Sequence, residues 1–385
     1  MTPNRFKVLV LGGYGNFGKR ICESLASPSL GLQTAVHLII AGRHPDKARH
    51  LCAQLETTNP SLTTQAIALD INSDSFEQQL GELSPNLVIH TSGPFQGQLY
   101  HVPRACIAAG VHYIDLADDR RFVCDITELN RDAADAGVLV VSGASSVPAL
   151  SSAVVDHFSS EFQSLERLEY AIAPGNQLER GFATIKAILS YTGHPFTTWT
   201  DGRWQIVYGW MNSIKKDFGA PIGKRHLANI DIPDLELFPN QYPSLKSVRF
   251  RAGLELSAMH NFMVFMAWFA KKGIVKNWAP FTGISLSISN WFYSLGTDTG
   301  GMQVELTGRD HNNQCKTIVW TLIAENGVGP YIPTIPAILV AKRLINNAIS
   351  ETGATPCVGL FSLTDFLDFA AQWKIYTRTE SPINA

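Results

Sequence analysis

Gly13-Tyr14-Gly15-Asn16-Phe17-Gly18 has the spacing G-x-G-x-x-G. It stands between an apolar run, Val8–Val10, and a stretch carrying Phe17, Ile21 and Leu25 at helical spacing. A strand–turn–helix of this kind suits a dinucleotide. The first glycine permits a tight turn, the second lets backbone approach a pyrophosphate, and the third lets helix and strand pack closely. The helix start then offers free N–H groups and partial positive charge to phosphate oxygens. A glycine turn with a purely structural role is the alternative. Arg43 follows a second apolar run, in Ala41-Gly42-Arg43-His44-Pro45, with Lys47 close by. An NAD site usually has an acid there for the ribose hydroxyls. An arginine suits a 2′-phosphate through paired charge-assisted bonds, so NADP is expected ahead of NAD. A solvated arginine at a strand end is the plain alternative.

Asp70, after the third apolar run, either caps the next segment or lies near the adenine. His90-Thr91-Ser92-Gly93-Pro94-Phe95 ends a fourth strand. Ligands of open parallel sheets bind beyond the carboxyl ends of strands, which places Ser92, Gly93 and Pro94 on the nicotinamide side. Phe95 packs there or fills core. Hydride transfer asks the protein to place the nicotinamide and to manage one proton. Tyr113, Asp115, Asp118 and Asp119 lie in or just after a fifth strand and are the candidate carriers. Alternation puts Tyr113 and Asp115 on one face and His112 on the other. Asp118 or Asp119 equally suits a helix cap. Arg120 and Arg121 are candidates for a substrate carboxylate or plain helix-surface charge, and Asp310–Asn313 reads as a hairpin turn. No paired-histidine metal spacing and no nucleophile elbow occurs, so no metal is expected.

These residues need a frame. Strand and helix patterns alternate through Val141: Val8–Val10, Val36–Ala41, Ala66–Leu69, Leu87–Ile89, Val111–Leu116 and Val138–Val141 read as strands. Helical faces lie between them, among them Pro45–Glu56, with Pro45 suited to the first turn, and Asp119–Ala136. The fold class expected is α/β, an N-terminal Rossmann-type doubly wound parallel sheet followed by a second α+β domain. The boundary falls near the turn at Gly143–Pro148, giving domains 1–148 and 149–385, with the C-terminal helix free to pack back on the first. All eight tryptophans lie beyond that turn. Ile284, Leu286 and Ile288 alternate with serines, which reads as a half-buried antiparallel strand. Met302–Gly308 and Thr317–Ala324 read as strands, Ile335–Ala348 as a helix. Phe361–Trp373 reads as a final helix with Ser362 and Asp365 as a capping pair.

Composition bounds the class. The 385 residues carry a net charge of −2, and 17% are charged. That is below the roughly 25% of ordinary soluble domains. Neither the charge of a disordered chain nor the basic excess of a nucleic-acid binder is present. Six scattered cysteines without a CxxC pair suggest reduced thiols and a cytoplasmic protein. The charge shortage has a location. Residues 256–297 hold only Lys271, Lys272 and Lys276, and Phe262–Ala270 is apolar throughout. A helix apolar all round is buried or lies in a contact. A subunit interface of a homodimer or an apolar substrate pocket is the first account, peripheral membrane contact the second.

The glycine turn, Ala41-Gly42-Arg43, Gly93-Pro94-Phe95, His112-Tyr113-Ile114-Asp115 and Ser145-Ser146-Val147-Pro148-Ala149-Leu150 together resemble the saccharopine dehydrogenase-like oxidoreductases. The resemblance covers about residues 5–155. It implies an NAD(P)-binding domain plus an α+β domain for substrate binding and dimerisation, with many members acting on amino or imino acids. Two positions depart from the family pattern. Ala117-Asp118-Asp119 stands where Gly-Glu is common, and Ala149 where a glycine is common. The reading is an NADP-dependent oxidoreductase working on a C=N or C=O bond of a small substrate. The alternative is a dinucleotide-binding or membrane-peripheral protein without turnover.

Overall fold

The structure is a computed structural model that describes residues 5–381. It separates into two units, one running to Leu150 and resuming over Tyr331–Phe361, the other formed by Ser151–Pro330 and the chain from Ser362.

The first unit begins with strands β1 (Phe6–Leu11), β2 (Val36–Gly42), β3 (Thr63–Ala68), β4 (Leu87–His90), β5 (His112–Asp115) and β6 (Leu139–Ser142). Helices α1 (Asn16–Ala26), α2 (Pro45–Thr58), α3 (Phe76–Leu83), α4 (His101–Ala108), α5 (Arg120–Cys124) and α6 (Asn130–Asp135) alternate with them. The strands lie parallel in the order 3-2-1-4-5-6, the dinucleotide-binding order with its switch point between β1 and β4. Val8, Val10, Leu38, Ile40, Val88 and Ile89 are fully buried, as strands covered on both faces require. Pro45 opens α2, whose Ala48, Leu51, Cys52 and Leu55 face inward. The single helix expected over Asp119–Ala136 is broken. A 3₁₀ turn at Asp125–Leu129 separates α5 from α6 and buries Ile126 and Leu129.

The second unit contains α7 (Ser151–Ser159), β7 (Ser164–Ala173), α8 (Phe182–Tyr191), β8 (Pro195–Thr200), β9 (Arg203–Tyr208), β10 (Ile214–Asp217) and β11 (Lys224–Asn229). It continues with α9 (Asp234–Gln241), β12 (Ser247–Ala252), α10 (Ser257–Lys271), α11 (Thr282–Trp291), β13 (Gly300–Arg309) and β14 (Cys315–Ala324). Its sheet is antiparallel except where β12 meets β7. The pleat sorts the residues. Leu168, Tyr170, Val304, Leu306, Trp320 and Leu322 are buried, while Glu169 on the opposite face pairs with Arg249 and Arg251 at 3.5 Å each. The turn at Asp310 joins β13 to β14, as expected.

Two readings need correction. Residues 284–288 form part of α11 rather than a strand. An apolar residue at i and i+4 satisfies a helix as well as a strand, and Ile284 and Ile288 share one helical face. The second domain does not extend unbroken to the C-terminus. The chain returns to the first unit through α12 (Ile335–Ile345) and β15 (Gly353–Pro356), which adds in parallel beside β6. It then re-enters the second unit with α13 (Leu363–Ala370), capped by the expected Ser362–Asp365 box, and β16 (Ile375–Glu380), which pairs with β14.

Candidate dinucleotide and active site

The turn between β1 and α1 is held from both sides. Gly12 and Gly13 N–H groups donate to the Ala41 carbonyl on β2 at 2.9 and 3.1 Å. The Thr91 hydroxyl, beyond β4, donates to the Leu11 carbonyl at 2.8 Å. Gly12 takes φ +75°, and a Cβ there would lie 2.8 Å from Ser92 Oγ and 2.9 Å from Thr91 Oγ1. The tight turn therefore belongs to Gly12, one residue before the glycine that sequence spacing assigned to it. A Cβ at Gly18 would lie 2.3 Å from the Gly12 carbonyl oxygen, so α1 rests directly on the turn. Gly15, the exposed N-cap of α1, brings no side chain to the first N–H groups of the helix. These free donors above a side-chain-free cradle fit a pyrophosphate.

At the end of β2 the Tyr14 ring lies across Gly42, where any Cβ would meet it at 2.6 Å. Its hydroxyl accepts from the His44 N–H at 2.8 Å. Arg43 is exposed beside this brace. A surface cavity of about 380 Å³ opens between α1 and α2, with Tyr14, Lys19, Lys47 and His50 among its lining. Asp70 accepts from the Asn72 N–H at 3.0 Å, so it builds a turn after β3.

The carboxyl ends of β4 and β5 carry a buried polar chain. His90 and Tyr113 are fully buried, with His90 Nδ1 and Tyr113 Oη 2.9 Å apart. Burial pulls the His90 imidazole down to about 3, leaving it neutral. Burial, with the Asp115 charge second, pushes the Tyr113 phenol well above its ordinary range. Asp115 accepts from Gly143 N at 2.8 Å, Ala117 N at 2.9 Å and Ser142 Oγ at 3.0 Å, which ties the end of β5 to that of β6. Asp119 caps α5 by accepting from Phe122 N at 2.9 Å. Asp118 is exposed and accepts from Gln96 Nε2 at 3.0 Å. Ser92, Gly93 and Pro94 form the loop after β4, whose Ser92 and Pro94 carbonyls accept from Gln98 at 3.0 and 2.8 Å. Phe95 is core, packed on His90 and Phe122.

Residues 8–141 match the family described as the saccharopine dehydrogenase NADP-binding domain. The matched stretch lies wholly within the first unit. No curated protein sequence matches the chain. In fold it is similar to apo saccharopine dehydrogenase (L-Glu forming) from Saccharomyces cerevisiae. The TM-score is 0.67 at 13% identity, over 98% of this chain and 100% of that one. An amine dehydrogenase from Mycobacterium smegmatis aligns with a TM-score of 0.46 at 11% identity, over 91% and 94% of the two chains.

In this NADP-binding domain the sequence pattern shows the glycine turn but not Gly12 and Thr91, which shape it, nor His90, the buried partner of Tyr113. Gly12 was hidden because it precedes the motif. Thr91 and His90 act through contacts made only when β4 lies beside β1 and β5. His112, on the other face of β5 as alternation requires, accepts from Leu139 N at 2.9 Å and is structural. Among the described residues no cluster of histidine, cysteine and carboxylate suits a metal.

Asp115 carries a pH prediction. Burial lifts its carboxyl to about 6, against the hydrogen bonds that pull it down. Between about pH 4 and about 6 the folded domain then holds this proton more tightly than the unfolded chain, so stability rises as pH falls through that window. Asp115→Asn should flatten this part of the profile by on the order of 3 kcal/mol. Urea midpoints of both proteins at the two ends of the window measure it. Parallel profiles would show that the carboxyl titrates normally.

Proposed function

We propose that the protein is an NADPH-dependent oxidoreductase that transfers hydride to or from a C=N or C=O bond of a small substrate. The observation that carries this reading is the cradle at Gly12, Gly15 and Gly18, next to the cationic end of β2 at Arg43 and Lys47. The glycines admit the pyrophosphate, and α1 directs its first N–H groups at it. Arg43 and Lys47 take the 2′-phosphate, and the loop Ser92–Pro94 lies on the nicotinamide side. When bound, the cofactor supplies the hydride chemistry.

The chain's own share is the proton. Tyr113 and Asp115 are buried and committed to His90 and to the β6 turn, and Asp119 is committed to its cap. Asp118 alone of the four faces solvent at the carboxyl edge of the sheet, and we assign it the proton. The second unit is assigned substrate recognition.

Titration with NADPH and NADH, followed by nicotinamide fluorescence, tests the cofactor. NADPH should bind tighter, and Arg43→Ala should weaken it roughly 10-fold or more while changing NADH little. That is the loss of one charge-assisted hydrogen bond. Equal or absent responses to both cofactors would overturn the reading. NADPH binding without oxidation across a panel of small carbonyl compounds, with and without amines, would favour the non-enzymatic alternative.

A further inference from the structure

The segment from α10 to α11 is built inside out. In α11 the buried residues are Thr282 and Ser289, while Ile284 is 62% and Trp291 78% exposed. In α10 Met266 and Ala267 face inward, and the opposite face presents Phe262, Phe265 and Trp268. The expectation that this apolar helix would be covered is met on one face only. A helix this apolar on its solvent side marks a contact surface.

The segment is nevertheless firmly attached at its base. Glu255, two residues before α10, accepts from Asn176 N at 2.7 Å and Thr297 N at 2.9 Å, and pairs with Arg225 at 3.0 Å. Asn176 in turn donates to the carbonyls of Phe292 and Leu295. The apolar face is thus a fixed feature of the unit rather than a loose end.

Charge selects the occupant. From residue 256 to 297 the only ionic groups are Lys271, Lys272 and Lys276, all exposed, with no acid among them. Two copies of this face brought together would set lysines against lysines with no carboxylate in the segment to answer them. Anionic headgroups answer them directly, and an acyl layer takes the apolar stripe. Trp268, Trp291 and Tyr293 are amphipathic aromatics of the kind enriched where hydrocarbon meets headgroups. The 15 residues of α10 span only about 22 Å, against roughly 30 Å of hydrocarbon core, so the helix suits lying on a bilayer. No helix among the described residues is long and apolar enough to cross one.

We propose that the face formed by α10 and α11 docks on an anionic lipid surface. Full-length protein is floated with vesicles of phosphatidylcholine alone, or of equal parts phosphatidylcholine and phosphatidylserine. It should float with the second kind, weakly or not at all with the first, and be released by high salt. Lys271→Glu/Lys272→Glu/Lys276→Glu should weaken that binding about 100-fold, at about fivefold for each of the three lysines near the surface. Ile284→Ser/Trp291→Ser should abolish it, and brominated lipid should quench tryptophan fluorescence in the wild type only. Unchanged NADPH titration and circular dichroism show that each variant is folded. Absence of flotation with either vesicle overturns the proposal. So does a dimer by light scattering that Ile284→Ser/Trp291→Ser dissolves, which would make a second copy the occupant.

Discussion

Gly12→Ala should abolish NADPH binding while leaving the second unit folded. Gly12 takes φ +75°, and leaving that region would redirect the chain between β1 and α1. Holding alanine there costs about 1–2 kcal/mol. The new methyl would also lie within 3 Å of two hydroxyl oxygens, on Ser92 and Thr91. Forcing a methyl into such a space costs about 1–3 kcal/mol more. Neither hydroxyl side can yield freely, because Thr91 is bonded to the Leu11 carbonyl and the loop beyond it is held by Gln98. The turn must shift, and it is the turn that aims the α1 N–H groups. The expected readout is at least a 100-fold rise in the NADPH dissociation constant, about 3 kcal/mol of the strain appearing in binding. Gly31→Ala is the control. It has a similar φ of +67° but open space around its Cβ position, so it should cost stability alone and leave the titration unchanged. A Gly12→Ala protein that binds NADPH like the wild type would show that the turn is not the cofactor cradle.

The legibility of this chain follows from how its elements are specified. Parallel strands covered on both faces must be short apolar runs, and β1, β2 and β4 are written that way. The glycine turn is legible because backbone geometry demands glycine. β15 is not, since Gly353-Ala354-Thr355-Pro356 has no apolar run. It is placed by the backbone of β6 and by Asn130, whose side chain accepts from Ala354 N at 3.0 Å. α11 is not legible as a helix because a strand and a helix alike can place Ile284 and Ile288 on one side, and its solvent face is apolar. The charge shortage has the same origin. The nucleotide domain is charged only at the chain's low average, and the shortage is sharpest in 256–297, where an outward apolar face stands in for a charged surface. Candidate roles were harder still. Asp115, Asp118 and Asp119 are alike in sequence, and only their partners separate a brace, an exposed carboxylate and a cap.

That separation makes the second large effect specific to one carboxylate. Asp118→Asn should lower kcat at least 100-fold, the usual contribution of a positioned general acid or base, while leaving the NADPH dissociation constant within twofold of wild type. The amide is nearly isosteric and still accepts from Gln96, so the loop after β5 keeps its shape. What it loses is the transferable proton. Asp119→Ala separates this from loss of structure, because removing the α5 cap should cost about 1 kcal/mol of stability and little of kcat. Gln96→Leu makes a third point. It removes the hydrogen bond that orients Asp118 without removing the carboxylate, so it should shift the pH–rate profile toward higher pH more than it lowers the maximal rate. A hydrogen bond to the ionised form holds a carboxyl pKa down, and its loss lets that pKa rise. All three variants are assayed by NADPH oxidation with the same carbonyl substrate. If Asp118→Asn turns over at the wild-type rate and Asp119→Ala does not, the proton passes through the residue assigned here to the helix cap.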